Sequence, residues 1–399
     1  MHPVYLYNCI FNIVHMWKRL NMHRPMMEWG ANMDKKIIIA IVVVAIVVVG
    51  GASAALLLSK KSEGGTVKYI TLAPKDMKAA LSTGQVDAYI AWEPYVSDSV
   101  AGGVGDVMMW SDEIMSNHPC CVVVVRNEFQ AGPNGDELTK RFVKAHIDAT
   151  QWMLDTLDHK DSANYTLLVN MAVQFTSRNS TVVEAAFEHI KFGYQMSSSF
   201  RSALKEFTNM YIETNMANLT AQGYTSVGDF VDHYASGSML DAASSVLPSD
   251  TILNPSSPIH LGYLSGDLHQ MAQVVAQNLS VGGTKTLFQK YGLSVTDAVG
   301  APFASGGVEM TGFLAKSVDI GYLGAPPAIL QHLINGAGTT IIAQANSEGS
   351  GIVVKTGSGI TDLKDLVNKT VATPGESSIQ FLLLKIALER EGLSLEIKT

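Results

Sequence analysis

Three cysteines stand among 399 residues, Cys9 near the start and the neighbours Cys120 and Cys121. That is too few for a disulfide framework. Neighbours on a strand point to opposite faces, so no bond is expected between Cys120 and Cys121. Basic runs are missing beyond the N-terminal region, and the formal net charge is −8, which excludes a nucleic-acid-binding surface. The acidic balance does not exclude an anionic ligand, because net charge governs solubility and steering rather than a pocket's local field. Catalytic signatures are also missing: there is no G-x-S-x-G, Walker loop, complete G-x-G-x-x-G, H-E-x-x-H or paired C-x-x-C. The 11 histidines are scattered without metal-ligand spacing, so neither a metal centre nor a cofactor is expected. One constellation could serve an enzyme: Cys120 or Cys121 with His118 and Arg126, a thiolate beside an imidazole. The adjoining Val122–Val125 run favours a buried, inert strand there, and an enzyme is not expected.

What the chain does contain begins with Ile37–Leu58, a run without charge flanked by Lys35-Lys36 and Lys60-Lys61. As a helix it would measure about 33 Å and span a bilayer. Ala52–Ala55 offers small residues for a signal peptidase; the length of the run favours an uncleaved anchor. Residues 1–32 show no pattern, and Met33-Asp34-Lys35-Lys36 looks like a start. Residues 59–65 form a polar linker.

From residue 66 the pattern alternates between strands and helices, which indicates an α/β fold with doubly wound, parallel-type sheets. In Thr71–Pro94, a helix with Asp76 as N-cap buries Met77, Ala80 and Leu81 and stops at Gly84; the strand Val86–Ala91 follows. An echo lies at Gly312–Pro327: a helix end, Val318-Asp319 in place of Val86-Asp87, a short strand, then a proline turn. Two similar units suggest two lobes with a cleft between them. Thr139–Leu157 is an amphipathic helix with Phe142, Ala145, Ala149 and Met153 inward, and Phe200–Met216 is another with Phe200, Leu204, Phe207 and Tyr211. Ala242–Pro258 reads as an extended connector, and Ala298–Phe303 as a strand.

The segments Ala79–Pro94, His260–Ala272, Val318–Leu330, Gly349–Ser378 and Leu382–Leu395 together resemble the solute-binding proteins of ABC importers in the nitrate/sulfonate/taurine group, over most of residues 66–399. Their order is not that family's. The block beginning at Thr71 normally comes late, and Thr399 would join smoothly onto Val67. A circular permutation produces this order; so does a fragment of a tandem or misassembled gene. The resemblance implies a two-lobed periplasmic-binding-protein-like fold of type II. Lobe I would span residues 121–355, with 242–258 as a connector; lobe II would combine 66–120 with 356–399. It also implies a monomer on the extracytoplasmic face of the membrane. Such a protein delivers a small anion such as nitrate, sulfonate or taurine to an ABC permease and its ATPase. Alternatives on the same fold are a cleft enzyme, of desulfinase or thiamin-pyrimidine synthase type, and a sensory ectodomain.

Turns that lead into helix N-termini are the candidate ligand sites, because unpaired N–H groups and the helix dipole favour an anion there. They are Ser265-Gly266-Asp267, Gly324-Ala325 and Gly375 with Ser377 and Ser378. Asn346 and Ser347 join them from a loop. Trp92 and Glu93 would face the cleft from the other lobe, with His118 at the crossover.

Overall fold

The computed structural model describes residues 64–280 and 283–398. The expected span Ile37–Leu58 and the leader lie outside them. Among the described residues no helix is long and apolar enough to cross a membrane.

Two sheets carry the described chain. The first takes β1 (Thr66–Thr71), β2 (Ala88–Trp92) and β3 (Gly105–Trp110) from one end of the sequence and β11 (Ser350–Lys355), β12 (Thr370–Thr373) and β13 (Ser394–Ile397) from the other. The second takes β4 (Cys121–Arg126), β6 (Ile259–Gly262), β7 (Val295–Asp297), β8 (Ile320–Gly324) and β9 (Thr339–Gln344). Between the sheets β5 (Ile190–Phe192) pairs antiparallel with β10 (Asn346–Glu348). This α/β architecture fits a periplasmic-binding-protein-like fold.

The orders are β13-β1-β12-β2-β11-β3 and β7-β6-β8-β4-β9. Set β12 on β6 and the two coincide: three parallel strands, then two antiparallel partners. Both antiparallel strands slip register against the edge, β11 between Ile352 and Val353 and β4 between Val123 and Val124. The echoed Val-Asp pairs occupy matching places. Asp87 N–H donates to Thr370 O, its carboxylate accepts from Thr370 N–H, and its carbonyl accepts from Lys355 N–H. Asp319 does the same with His260 and Arg126. Each aspartate therefore fixes the start of one strand and the end of another.

The central strands explain the apolar runs. Cys121–Val125 in β4 and Ala88–Trp92 in β2 are buried on both faces, as strands covered by helices on each side must be. Phe142, Ala145, Ala149 and Met153 are buried as their spacing predicts, and so are Phe200, Leu204, Phe207 and Tyr211.

Four expectations need correction. The helix after β1 runs Pro74–Thr83 with Ala73 as N-cap, so Asp76 lies in its first turn rather than at its cap; proline suits the first helical position, where no N–H is needed. Ala298–Phe303 is not a strand: the chain turns at Gly300, whose φ is 98°, and Pro302 cannot donate to a ladder. Lobe I ends before Ser350, not at 355, because β11 belongs to the other sheet. β13 does not lead into β1 end to end: it lies beside β1, parallel, with Ser394 opposite Thr66 and Ile397 opposite Tyr69. The Gly-Leu-Ser that leads into β7 beside β6 recurs before β13, but there β1 occupies the place beside β12 and β13 lies one strand further out.

Candidate functional site

The lobes meet along a closed cleft. Tyr95 Oη donates to Ser265 O at 2.9 Å, and Tyr211 Oη donates to Ser377 O at 3.2 Å. The Arg178 guanidinium lies 2.8 Å from Asp98. Trp110 stacks on His189 with ring centres 3.6 Å apart. A cavity of about 30 Å³ remains between the lobes, room for about two waters.

Three helix N-termini border this cavity, Gly306–Leu314 and Ala325–Asn335 from lobe I and Ile379–Arg390 from lobe II. Ser305 and Ser378 are N-caps whose Oγ atoms accept from Val308 and Phe381 N–H. The N–H groups of Gly306, Gly307, Ile379 and Gln380, in the first turns, have no partner within their helices. Helix Ala325–Asn335 differs. Ala325 N–H donates to Cys120 O at 2.9 Å, and Pro326 and Pro327 have none to offer. That turn contributes its dipole and its wall, not donors.

Trp92 faces the cavity from lobe II, and its buried Nε1–H has no acceptor among the described residues. Asp267 borders the cavity too. Its Oδ1 accepts from His269 N–H at 3.0 Å and lies 2.8 Å from His269 Nδ1; its Oδ2 accepts from Gln270 Nε2 at 3.2 Å. Gly324, Ser377 and Ser378 complete the expected residues that the fold brings to the cavity.

The remaining expected residues sit elsewhere. Ser265 N–H donates to Phe303 O and its carbonyl holds Tyr95, so Ser265 and Gly266 form the rim latch. Glu93 is buried behind the cleft, where Oε2 accepts from Ser97 N–H at 3.0 Å and Oε1 from Ser97 Oγ at 2.7 Å. Ser97 lies in the first turn of the helix Tyr95–Ala101, whose N-cap is Pro94. Burial pushes the Glu93 carboxyl up to about 7, against the two Ser97 bonds. His118 is buried in the crossover, and desolvation pushes it down to about 4. Asn346 and Ser347 lie in β10; Asn346 Oδ1 accepts from Cys121 N–H at 2.9 Å. Gly375 turns the chain at φ 124° before Ser377.

Sequence reasoning missed Ser305-Gly306-Gly307, Cys120 and Cys121 as cleft residues, and His269 behind them. Ser305 was legible as an N-cap before an apolar helix. The Val122–Val125 run suggests that both cysteines lie in a buried, inert strand, yet β4 begins only at Cys121, and both cysteines border the cleft. The histidine beside them is His269, not His118. Arg126 lies at the far end of β4, paired with Asp319. Among the described residues no group of His, Cys, Asp and Glu is arranged to hold a metal ion.

A family model described as the NMT1-like family matches residues 55–167 and 254–398, more than half of the chain. The unmatched stretch between them contains the lobe I helices from Ser180–Phe187 to Ser238–Ala243. No curated protein matches the chain.

Proposed function

The chain belongs to the NMT1-like family, and on that footing we propose that it is an extracytoplasmic solute-binding protein of an ABC importer. Its ligand carries one compact anionic group, with nitrate, taurine and an alkanesulfonate as the candidates to try. The observation that carries this is the placing of unpaired donors on both walls of one cavity: the first turn of Gly306–Leu314 in lobe I, the first turn of Ile379–Arg390 in lobe II, and Trp92 Nε1. A ligand that accepts from both walls binds the closed form more tightly than the open one, and so shifts the population toward closure. Among the described residues no lysine or arginine borders the cavity. A compact monoanion suits dipolar donors of this kind better than a dianion, which calls for full opposing charge. The closed form is then what the permease recognises. The apolar run Ile37–Leu58 serves as its membrane anchor in this proposal.

The experiment is ATP hydrolysis by the cognate permease and ATPase in proteoliposomes. The solute-loaded protein should raise hydrolysis and the solute-free protein should not. Tight solute binding with hydrolysis unchanged would leave a sensory ectodomain as the better reading.

A further inference from the structure

Two thiols border the cleft, and their surroundings differ. Neither Cys120 nor Cys121 is in a disulfide, and both are buried. Cys120 is fixed on both sides by backbone bonds: its N–H donates to Asn346 O at 3.2 Å and its carbonyl accepts from Ala325 N–H at 2.9 Å. Cys121 Sγ lies 3.7 Å from Asp267 Oδ2 and 3.8 Å from Gln270 Nε2.

His269 stands beside them without solvent exposure. Its Nδ1 meets a carboxylate oxygen of Asp267 at 2.8 Å, and its Nε2 meets the carbonyl of Glu348 at 3.0 Å. A carboxylate and a carbonyl both accept, so both ring nitrogens carry protons and the ring is a cation. Gly349 holds the arrangement tight: a Cβ there would come within 2.4 Å of His269 Nε2. A fixed imidazolium is a poor general base and a good counter-ion for a thiolate.

The two sulfurs then divide. Burial, the Cys120 thiol and the Asp267 charge push the Cys121 thiol up and keep it protonated. The Cys121 thiol first, and the His269 charge next, hold the Cys120 thiol below the usual range against the cost of burial. Burial alone would lower His269; the charges of Cys120 and Asp267 outweigh it and raise it. The groups that face this pair are Asp267 and Cys121, with Glu93 and His118 also within reach of the His269 charge. The unpaired Trp92 Nε1 on the opposite wall marks the same cavity as a place where a ligand is received.

We propose that Cys120 is a nucleophilic thiolate in the cleft and forms a mixed disulfide with low-molecular-weight disulfides. The Cys120 thiolate attacks one sulfur of R–S–S–R. A new S–S bond forms, the old one breaks, and R–S⁻ leaves and takes a proton from solvent. Cys120 is oxidised and the departing half of the reagent is reduced. The reaction stops there, because Cys121 stays protonated and a bond between adjacent residues is strained. The modified cleft carries a bulky group where a solute would sit, so the adduct excludes the solute until a thiol removes it.

The test uses the full chain without any solute, treated with hydroxyethyl disulfide at a series of pH values and read by peptide mass mapping. The expected result is an adduct on Cys120 alone, with a reaction midpoint at least about one pH unit below that of an ordinary thiol near 8.5. H269Q should raise that midpoint by about a unit and slow the neutral-pH rate about tenfold, and C121S should still react at Cys120. If H269Q does not fold, the midpoint of the unaltered chain and the thiolate absorbance of C121S decide the matter. Reaction only in denaturant, an ordinary midpoint, or equal labelling of Cys121 would overturn the proposal. None of these outcomes depends on which solute the cleft binds, so the importer proposal stands or falls separately.

Discussion

Tyr95 of lobe II donates its hydroxyl hydrogen to the carbonyl of Ser265 in lobe I, 2.9 Å away across the mouth of the cleft. One neutral hydrogen bond of this kind contributes about 1 kcal/mol. It exists only while the lobes are closed. Tyr95→Phe should therefore weaken solute binding about fivefold and enlarge the radius of gyration of the solute-free protein, with little change in melting temperature. Scattering and affinity identical to the unaltered chain would show that this latch does not govern closure.

Trp92 offers a sharper contrast between stability and binding. Its Nε1–H is buried without an acceptor among the described residues and borders the cavity. Trp92→Phe removes the donor and keeps a ring. The empty protein should melt close to the original temperature, while solute affinity falls at least about tenfold by calorimetry. Equal affinity in the two proteins would mean that the ligand does not use this donor.

Glu93 gives stability a definite pH dependence. Its carboxyl rises from 4.5 to about 7 on folding, so the folded chain holds that proton where the unfolded chain has lost it. Its contribution is most favourable below about pH 4.5 and is lost as pH rises toward about 7. Over that window the loss is on the order of 3 kcal/mol. Glu93→Gln keeps the hydrogen-bonding shape and removes the titration. Denaturant melts of the two proteins should diverge across the window, with the variant gaining as pH rises; parallel curves would contradict this.

The matching aspartates should not be equally important. Asp319 is nearly buried and also pairs with Arg126, while the Asp87 side chain is 41% exposed and meets Lys369 only at 3.9 Å. Asp319→Ala leaves a largely buried guanidinium with only Glu128 Oε2 at 3.4 Å and the Val318 carbonyl at 3.1 Å, and should cost up to about 3 kcal/mol. Asp87→Ala loses chiefly the bond from Thr370 N–H and should cost about 1 kcal/mol. Urea midpoints would compare them directly, and equal losses would refute the difference in burial as the cause.

Much of the fold was legible because burial wrote it locally. Val122–Val125 reads as a strand covered on both faces, and Val86-Asp87 and Val318-Asp319 advertise the repeated unit. The strand Gly105–Trp110 was not legible, because it lies at an edge with its side chains mostly half exposed and so has no clear alternation. The cleft was legible only in part. Ser378 and Asp267 announce helix starts in their own neighbourhoods. The charge on His269 depends on the carbonyl of Glu348, 79 residues away, and no local pattern carries that. Ala325 looked like an anion-binding turn until the fold placed Cys120 O against its only free donor.

The most direct test is thermal unfolding in the presence of nitrate, taurine, alkanesulfonate and bicarbonate, with Trp92→Phe alongside. A solute-binding protein with this cleft should show one cooperative transition that rises with the concentration of one anion. At a hundredfold excess over the dissociation constant the gain is about 2.7 kcal/mol, and a tenfold weaker Trp92→Phe should keep only about half of it. A cooperative transition that none of these anions moves would contradict the proposed anion site.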